Sequence, residues 1–207
     1  MTMLALEFSS DRRTVAVVRD GALMAEAVFE GAVRTPIFQL IGDALKQAGV
    51  PQADVDTLVV GLGPGSYTGV RLAIAVAQGW QLATGVRVMG VNSLETLASL
   101  MGPTRVRLAI DAQKTECAVA EAEGGLLVTP VRLIANTELA ADLQGGERIV
   151  GPDVLRLLGG GELAYPTAAG AAQLAVQRGV EMPGASLSPV YLRAASFAKA
   201  PPARVIC

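Results

Sequence analysis

Apolar positions open the chain in three short runs, at residues 3–8, 14–18 and 23–29. Arg19-Asp20-Gly21 separates the last two runs, and Asp-Gly is a strong hairpin signal because both residues tolerate the positive φ of a tight turn. Residues 9–13 read as the first hairpin loop. From Thr35 the spacing becomes helical. Thr35 stands as N-cap and Pro36 at the first helical position, then Ile37, Leu40, Ile41, Ala44, Leu45 and Ala48 follow, with Gly49 as the stop before Pro51. Residues 57–61 predict a buried strand, 66–84 a helix, 86–91 a strand and 93–101 a short capped helix. Hairpin-linked strands followed by alternating strands and helices imply an α/β fold, a mixed sheet with helices on both faces.

Gly102-Pro103 divides the chain into an N-terminal unit, residues 1–102, and a second unit, residues 103–207. Past this point the pattern restarts. Strands are predicted at 106–110, 117–120 and 126–134, a helix at 137–143, a strand at 147–150, and helices at 152–158 and 167–178. The second half therefore reads as an abbreviated copy of the first, judged by element order alone. Gly159-Gly160-Gly161 reads as a loop.

Composition narrows the picture. Hydrophobic residues make up 51% and charged residues 17%, which excludes a disordered chain; aromatics are only 4%, which suits helices packed closely on a sheet. The charge-free stretch 72–86 is broken by Gln78, Gly79, Gln81 and Thr84, and falls short of the roughly 20 apolar residues a membrane span needs. The first residues lack the pattern of a signal peptide, so a cytoplasmic location is expected. Two cysteines are too few for a disulfide framework. A net charge of −2 argues against a basic face for nucleic acid, so contact with RNA is expected only through a partner. The chain has no histidine, which removes imidazole-based nucleophile systems and metal sites.

The segment from Gly61 to Gly69 holds four glycines and a proline between a strand and a helix. Amides at a helix N-terminus suit an anion, but no lysine follows as in a P-loop, and Thr68 stands where a dinucleotide fingerprint needs glycine. A tight turn with Ser66 as N-cap is the competing reading. The helix that follows is apolar nearly all round: Val70, Ala73, Ile74 and Ala77 on one face, Leu72, Ala75, Val76 and Leu82 on much of another. Gly69, Ala73 and Ala77, four residues apart, would admit a second helix. The preceding helix carries Phe38, Ile41 and Leu45 beyond its Ile37/Leu40/Ala44 face. Surplus apolar surface on two adjacent helices predicts a partner interface over Ile37, Phe38, Ile41, Leu45, Gly69, Val70, Ala73, Ile74, Ala77 and Trp80. Glu7 with Ser9 and Asp111 end matching strands. With Gly63, Gly65 and Ser66 they form either the remnant of a nucleotide site or a set of capped turns.

Four segments together resemble the TsaB/YeaZ family: residues 4–9 (LALEFS), 63–71 (GPGSYTGVR), 90–98 (GVNSLETLA) and 189–193 (PVYLR). The resemblance implies the actin/sugar-kinase/Hsp70-like (ASKHA) fold, with two related subdomains and the second truncated. It implies a non-catalytic subunit in the biosynthesis of threonylcarbamoyladenosine in tRNA. Such a subunit pairs through its first two helices with its paralogue TsaD, or with itself when alone, and TsaE joins the assembly using ATP. No cofactor is implied in this chain alone, ATP or ADP being left for a subunit junction. The catalytic paralogue carries a His-x-x-x-His metal site, which a chain without histidine lacks. The chain also departs from the family pattern. Glu7-Phe8-Ser9 stands for Asp-Thr-Ser, Asp111-Ala112-Gln113-Lys114 for an Asp-Ala-Arg-Arg-like run, and Arg34-Thr35-Pro36-Ile37 for a His-Ser-containing run. These changes weaken a nucleotide site. The alternative is an independent ATPase or small-molecule kinase of the same fold, with Glu7 and Asp111 positioning a metal.

Overall fold

A computed structural model describes residues 1–31, 36–178 and 184–192. At its centre is β1 (Thr2–Glu7), followed by β2 (Arg12–Arg19) and β3 (Ala22–Glu30) in two antiparallel hairpins. Helix α1 (Ile37–Ala48) crosses to β4 (Thr57–Gly61), parallel to β1 on its other side, and α2 (Tyr67–Thr84) crosses to β5 (Arg87–Val91), parallel to β4. The sheet order is β3-β2-β1-β4-β5. After α3 (Ser93–Ser99) come β6 (Val106–Asp111), β7 (Glu116–Glu123), β8 (Leu126–Leu127) and β9 (Arg132–Ala135). Then follow α4 (Asn136–Gln144), β10 (Ile149–Gly151), α5 (Val154–Leu158), β11 (Glu162–Leu163) and α6 (Ala168–Arg178).

In the second sheet β9 and β7, then β7 and β6, pair antiparallel, while β6 with β10 and β10 with β11 pair parallel. That is the order and sense of the first sheet repeated. The duplication is thus a fact of topology, and with three residues in β10 and two in β11 the second copy is the shorter. This is the ASKHA arrangement expected from the sequence.

The period of two explains the layering. In β1, Leu4 and Leu6 face α1 and α2, while Met3 and Ala5 face α6. Both faces are covered, so the strand is apolar throughout. Small residues, Ala5 and Ala16 opposite Ala168, Ala171, Ala172 and Ala175, let α6 lie close to the first sheet. Helix α6 thus packs on the first sheet although it follows Gly102-Pro103. Helix α3 packs on the second sheet through Leu94, Leu97 and Ala98, and the far face of that sheet carries Leu139 of α4 and Val154 of α5.

Two expectations need correction, and one short strand was not foreseen. The strand predicted over 126–134 is two pieces, because Pro130 has no N–H to donate and the Thr129 hydroxyl instead accepts from the Glu121 N–H at 2.8 Å. Residues 12 and 13, read as loop, begin β2. The two-residue β11 directly follows the triple glycine, and its brevity left no alternation to read. The Thr35 cap and Arg193 lie outside the described residues.

Candidate functional site

Helix α2 is capped at both ends. The Ser66 hydroxyl accepts from the Gly69 N–H at 3.3 Å, and Gly85 closes the other end in the left-handed conformation. One face, Gly69, Val70, Ala73, Ile74 and Ala77, is buried against the first sheet. In α1 the buried set is Ile37, Leu40, Ile41, Ala44 and Leu45. Eight of the ten residues expected at a partner interface are therefore in the chain's own core: Ile37, Ile41, Leu45, Gly69, Val70, Ala73, Ile74 and Ala77. A side chain committed to the sheet cannot also face a partner.

The outer side is apolar too. Phe38 is 76% and Leu82 91% exposed. Between the two helices runs a groove of about 500 Å³ lined by Phe38, Leu72, Ala75, Val76, Gly79, Trp80 and Ala83. Of the expected residues, Phe38 and Trp80 border it. Ala75, Gly79 and Ala83 form an exposed stripe of small residues, and nothing lies within 4 Å of a Cβ placed on Gly79. From Ala73 to Ala75 is two residues, or about 200° around the helix, so the exposed stripe lies opposite the predicted one.

The glycine-rich turn wraps the end of β1. The Ser66 N–H donates to the Ser9 carbonyl at 2.7 Å. A Cβ on Gly69 would stand 2.1 Å from the Phe8 carbonyl oxygen, so only glycine lets the helix start this close to the strand. Glu7 is buried beneath the turn. Its carboxylate accepts from the Ser9 N–H at 2.9 Å and lies 3.2 and 3.0 Å from the Ser93 hydroxyl, which itself accepts from the Gly63 N–H at 3.1 Å. Burial pushes the Glu7 carboxyl above its ordinary range, against the opposing effect of hydrogen bonds from Ser9 and Ser93. Glu7 thus braces the turn from inside.

The structure brings Ser9, Gly65, Ser66 and Asp111 together in a cleft between the sheets, with a volume of about 150 Å³; Glu7 and Gly63 do not line it. Asp111 is already engaged. One oxygen accepts from the Gln113 N–H at 2.7 Å, and the other from Arg156 Nη2 at 2.9 Å. The same guanidinium nitrogen reaches Asp153 at 2.9 Å. Burial raises the Asp153 carboxyl, opposed by Arg156, and the two carboxylates hold the Arg156 guanidinium above its ordinary range. Among the described residues no group of three or more His, Cys, Asp or Glu side chains is arranged to hold a metal. Three carboxylates, Asp11, Asp111 and Asp153, line this cleft with one guanidinium, Arg156. Sequence reasoning missed Arg156, since nothing local ties it to a strand end 45 residues away.

No helix among the described residues is long and apolar enough to cross a membrane. Residues 33–143, more than half of the chain, match the family model described as TsaD: tRNA N6-adenosine threonylcarbamoyltransferase. The tRNA threonylcarbamoyladenosine biosynthesis protein TsaB of Escherichia coli is 37% identical over 128 residues, covering 58% of this chain and 54% of that protein. The protein of that name from Haemophilus influenzae is 33% identical over 123 residues, covering 56% and 51%. The chain thus spans about half the length of these curated relatives. The structure of YeaZ from Pseudomonas aeruginosa superposes with a TM-score of 0.73 at 27% identity, covering 92% of this chain and 99% of that one.

Proposed function

Because the chain belongs to the TsaD family and, within it, to the TsaB/YeaZ branch, we propose that it is an accessory subunit in tRNA threonylcarbamoyladenosine biosynthesis. It pairs with a TsaD-type transferase, and with itself when alone, through the outer faces of α1 and α2. TsaE joins through that assembly, tRNA is met only indirectly, and the chain holds no nucleotide and performs no catalysis by itself. It works in the cytoplasm.

The observation that carries this reading is the apolar groove between α1 and α2, with its crest of Ala75, Gly79 and Ala83. Small residues at four-residue spacing let a second helix approach closely, and Phe38 and Leu82 supply apolar area that water otherwise covers.

The test is threonylcarbamoyl transfer to tRNA by a TsaD-type transferase with and without this chain. Transfer should depend on the chain, and the chain alone should release no phosphate from ATP. Transfer unaffected by the chain would overturn the accessory role. Phosphate release that is lost in Asp111→Ala would favour the independent ATPase.

A further inference from the structure

A second cavity, of about 200 Å³, lies apart from the helix groove and beyond Gly65 from the Arg156 pair. Three stretches of chain enclose it: the glycine-rich turn with Pro64, the second sheet through Leu133, and an extended strap that ends the described chain. Gln78 and Gln81 fasten the strap at Gly184, donating to its carbonyl at 3.0 Å and accepting from its N–H at 2.5 Å. Leu187 sinks into the first core, the Val190 N–H donates to the Leu62 carbonyl at 2.8 Å, and Leu192 reaches the second core. The PVYLR segment singled out in the sequence is thus one wall of the cavity.

The lining is mainly apolar. Two half-exposed tyrosines, Tyr67 and Tyr191, line it and also reach solvent, so they form its mouth. Arg71 bridges them: its guanidinium lies 4.1 Å from the Tyr67 ring centroid, and Nη2 donates to the Tyr191 hydroxyl at 2.7 Å. Among the described residues Arg71 has no carboxylate partner. A guanidinium that rests on two tyrosines at the mouth of an apolar cavity, with no carboxylate partner among the described residues, selects an anion with an apolar body. The volume sets the size of that body, since a dry cavity of about 150 Å³ accepts a benzene ring.

We propose that this cavity is a binding site for a small carboxylate with a ring-sized apolar body, the carboxylate on Arg71 and the body against Pro64, Leu133 and Val190. The proposal is independent of the partner assignment, because it is tested on the full chain alone. Benzoate and its neutral analogue benzamide serve as probes in calorimetric titration. Benzoate should bind saturably and more tightly than benzamide. Arg71→Met should weaken benzoate about tenfold and leave benzamide unchanged. Leu133→Trp, which fills the cavity, should abolish both. Should that variant not fold, Tyr191→Ala, which opens the mouth at an exposed residue, should weaken both probes. No saturable benzoate binding, equal binding of the two probes, or no effect of Arg71→Met would overturn the proposal.

Discussion

A charge placed on the outer crest of α2 separates folding from association, and Gly79→Glu is the sharpest form of it. Nothing lies within 4 Å of a Cβ at Gly79, so the new side chain meets no clash within its own chain. Glutamate is also the better helix former, which favours the folded monomer by about 0.5 kcal/mol. In an assembly packed along Ala75, Gly79 and Ala83 the same carboxylate would be buried without a partner. At about 3 kcal/mol that is roughly a hundredfold in Kd. The control is Ala73→Glu, six residues earlier on the sheet-facing side. Ala73 is fully buried against the first sheet, so this variant should fail to fold. Sedimentation analysis and co-purification with a TsaD-type transferase read association, and thermal melts followed by circular dichroism read folding. The reasoning fails if Gly79→Glu associates as tightly as the parent, or if it too fails to fold.

Other outcomes follow from the turn and the cleft. Burial holds the Glu7 carboxyl above its ordinary range, so the folded state binds its proton more tightly than the unfolded chain does. Its contribution is full below the unfolded carboxyl range and is lost as pH rises through the folded value. Glu7→Gln, which keeps an acceptor for the Ser9 N–H, should therefore gain on the parent in melts as pH rises from about 4 to 8; the opposite slope would refute this. Gly69→Ala drives a methyl group against the Phe8 carbonyl, and an overpacking cost of about 1–3 kcal/mol outweighs a helix-propensity gain of at most about 1, so Tm should fall by several degrees. Arg156→Gln removes a largely exposed cation, so denaturant titration should show a loss below about 1 kcal/mol despite the two carboxylates it leaves.

Much of the fold was legible because its signals are local. Asp20-Gly21 marked the β2–β3 turn, Gly49 the end of α1, and Ser66 the start of α2, since caps and turns depend on residues adjacent in the chain. The glycine-rich turn was legible as a special backbone, and reading it as a tight, close-packed start to a helix agrees with the hydrogen bonds from Ser66 and the space left at Gly69. The split of 126–134 was less visible, because a single Pro130 had to outweigh an apolar run.

The candidate site was another matter. Helix α2 carries two small-residue stripes, Gly69/Ala73/Ala77 and Ala75/Gly79/Ala83, on opposite faces of one apolar cylinder. Periodicity fixes the angle between them and leaves open which one turns to the sheet. Only the packing of Val70 and Ile74 onto β1 and β4 decided that, and it sent Ile41 and Leu45 of α1 inward by the same step. The pairing of Arg156 with Asp111 and the strap from Gly184 to Leu192 likewise join residues far apart in the chain. By itself the sequence determined the elements, their order and the chemistry excluded by a chain without histidine. Tertiary structure alone decided which apolar face meets water and which carboxylates are already paired, because both depend on what each side chain touches after the chain has closed on itself.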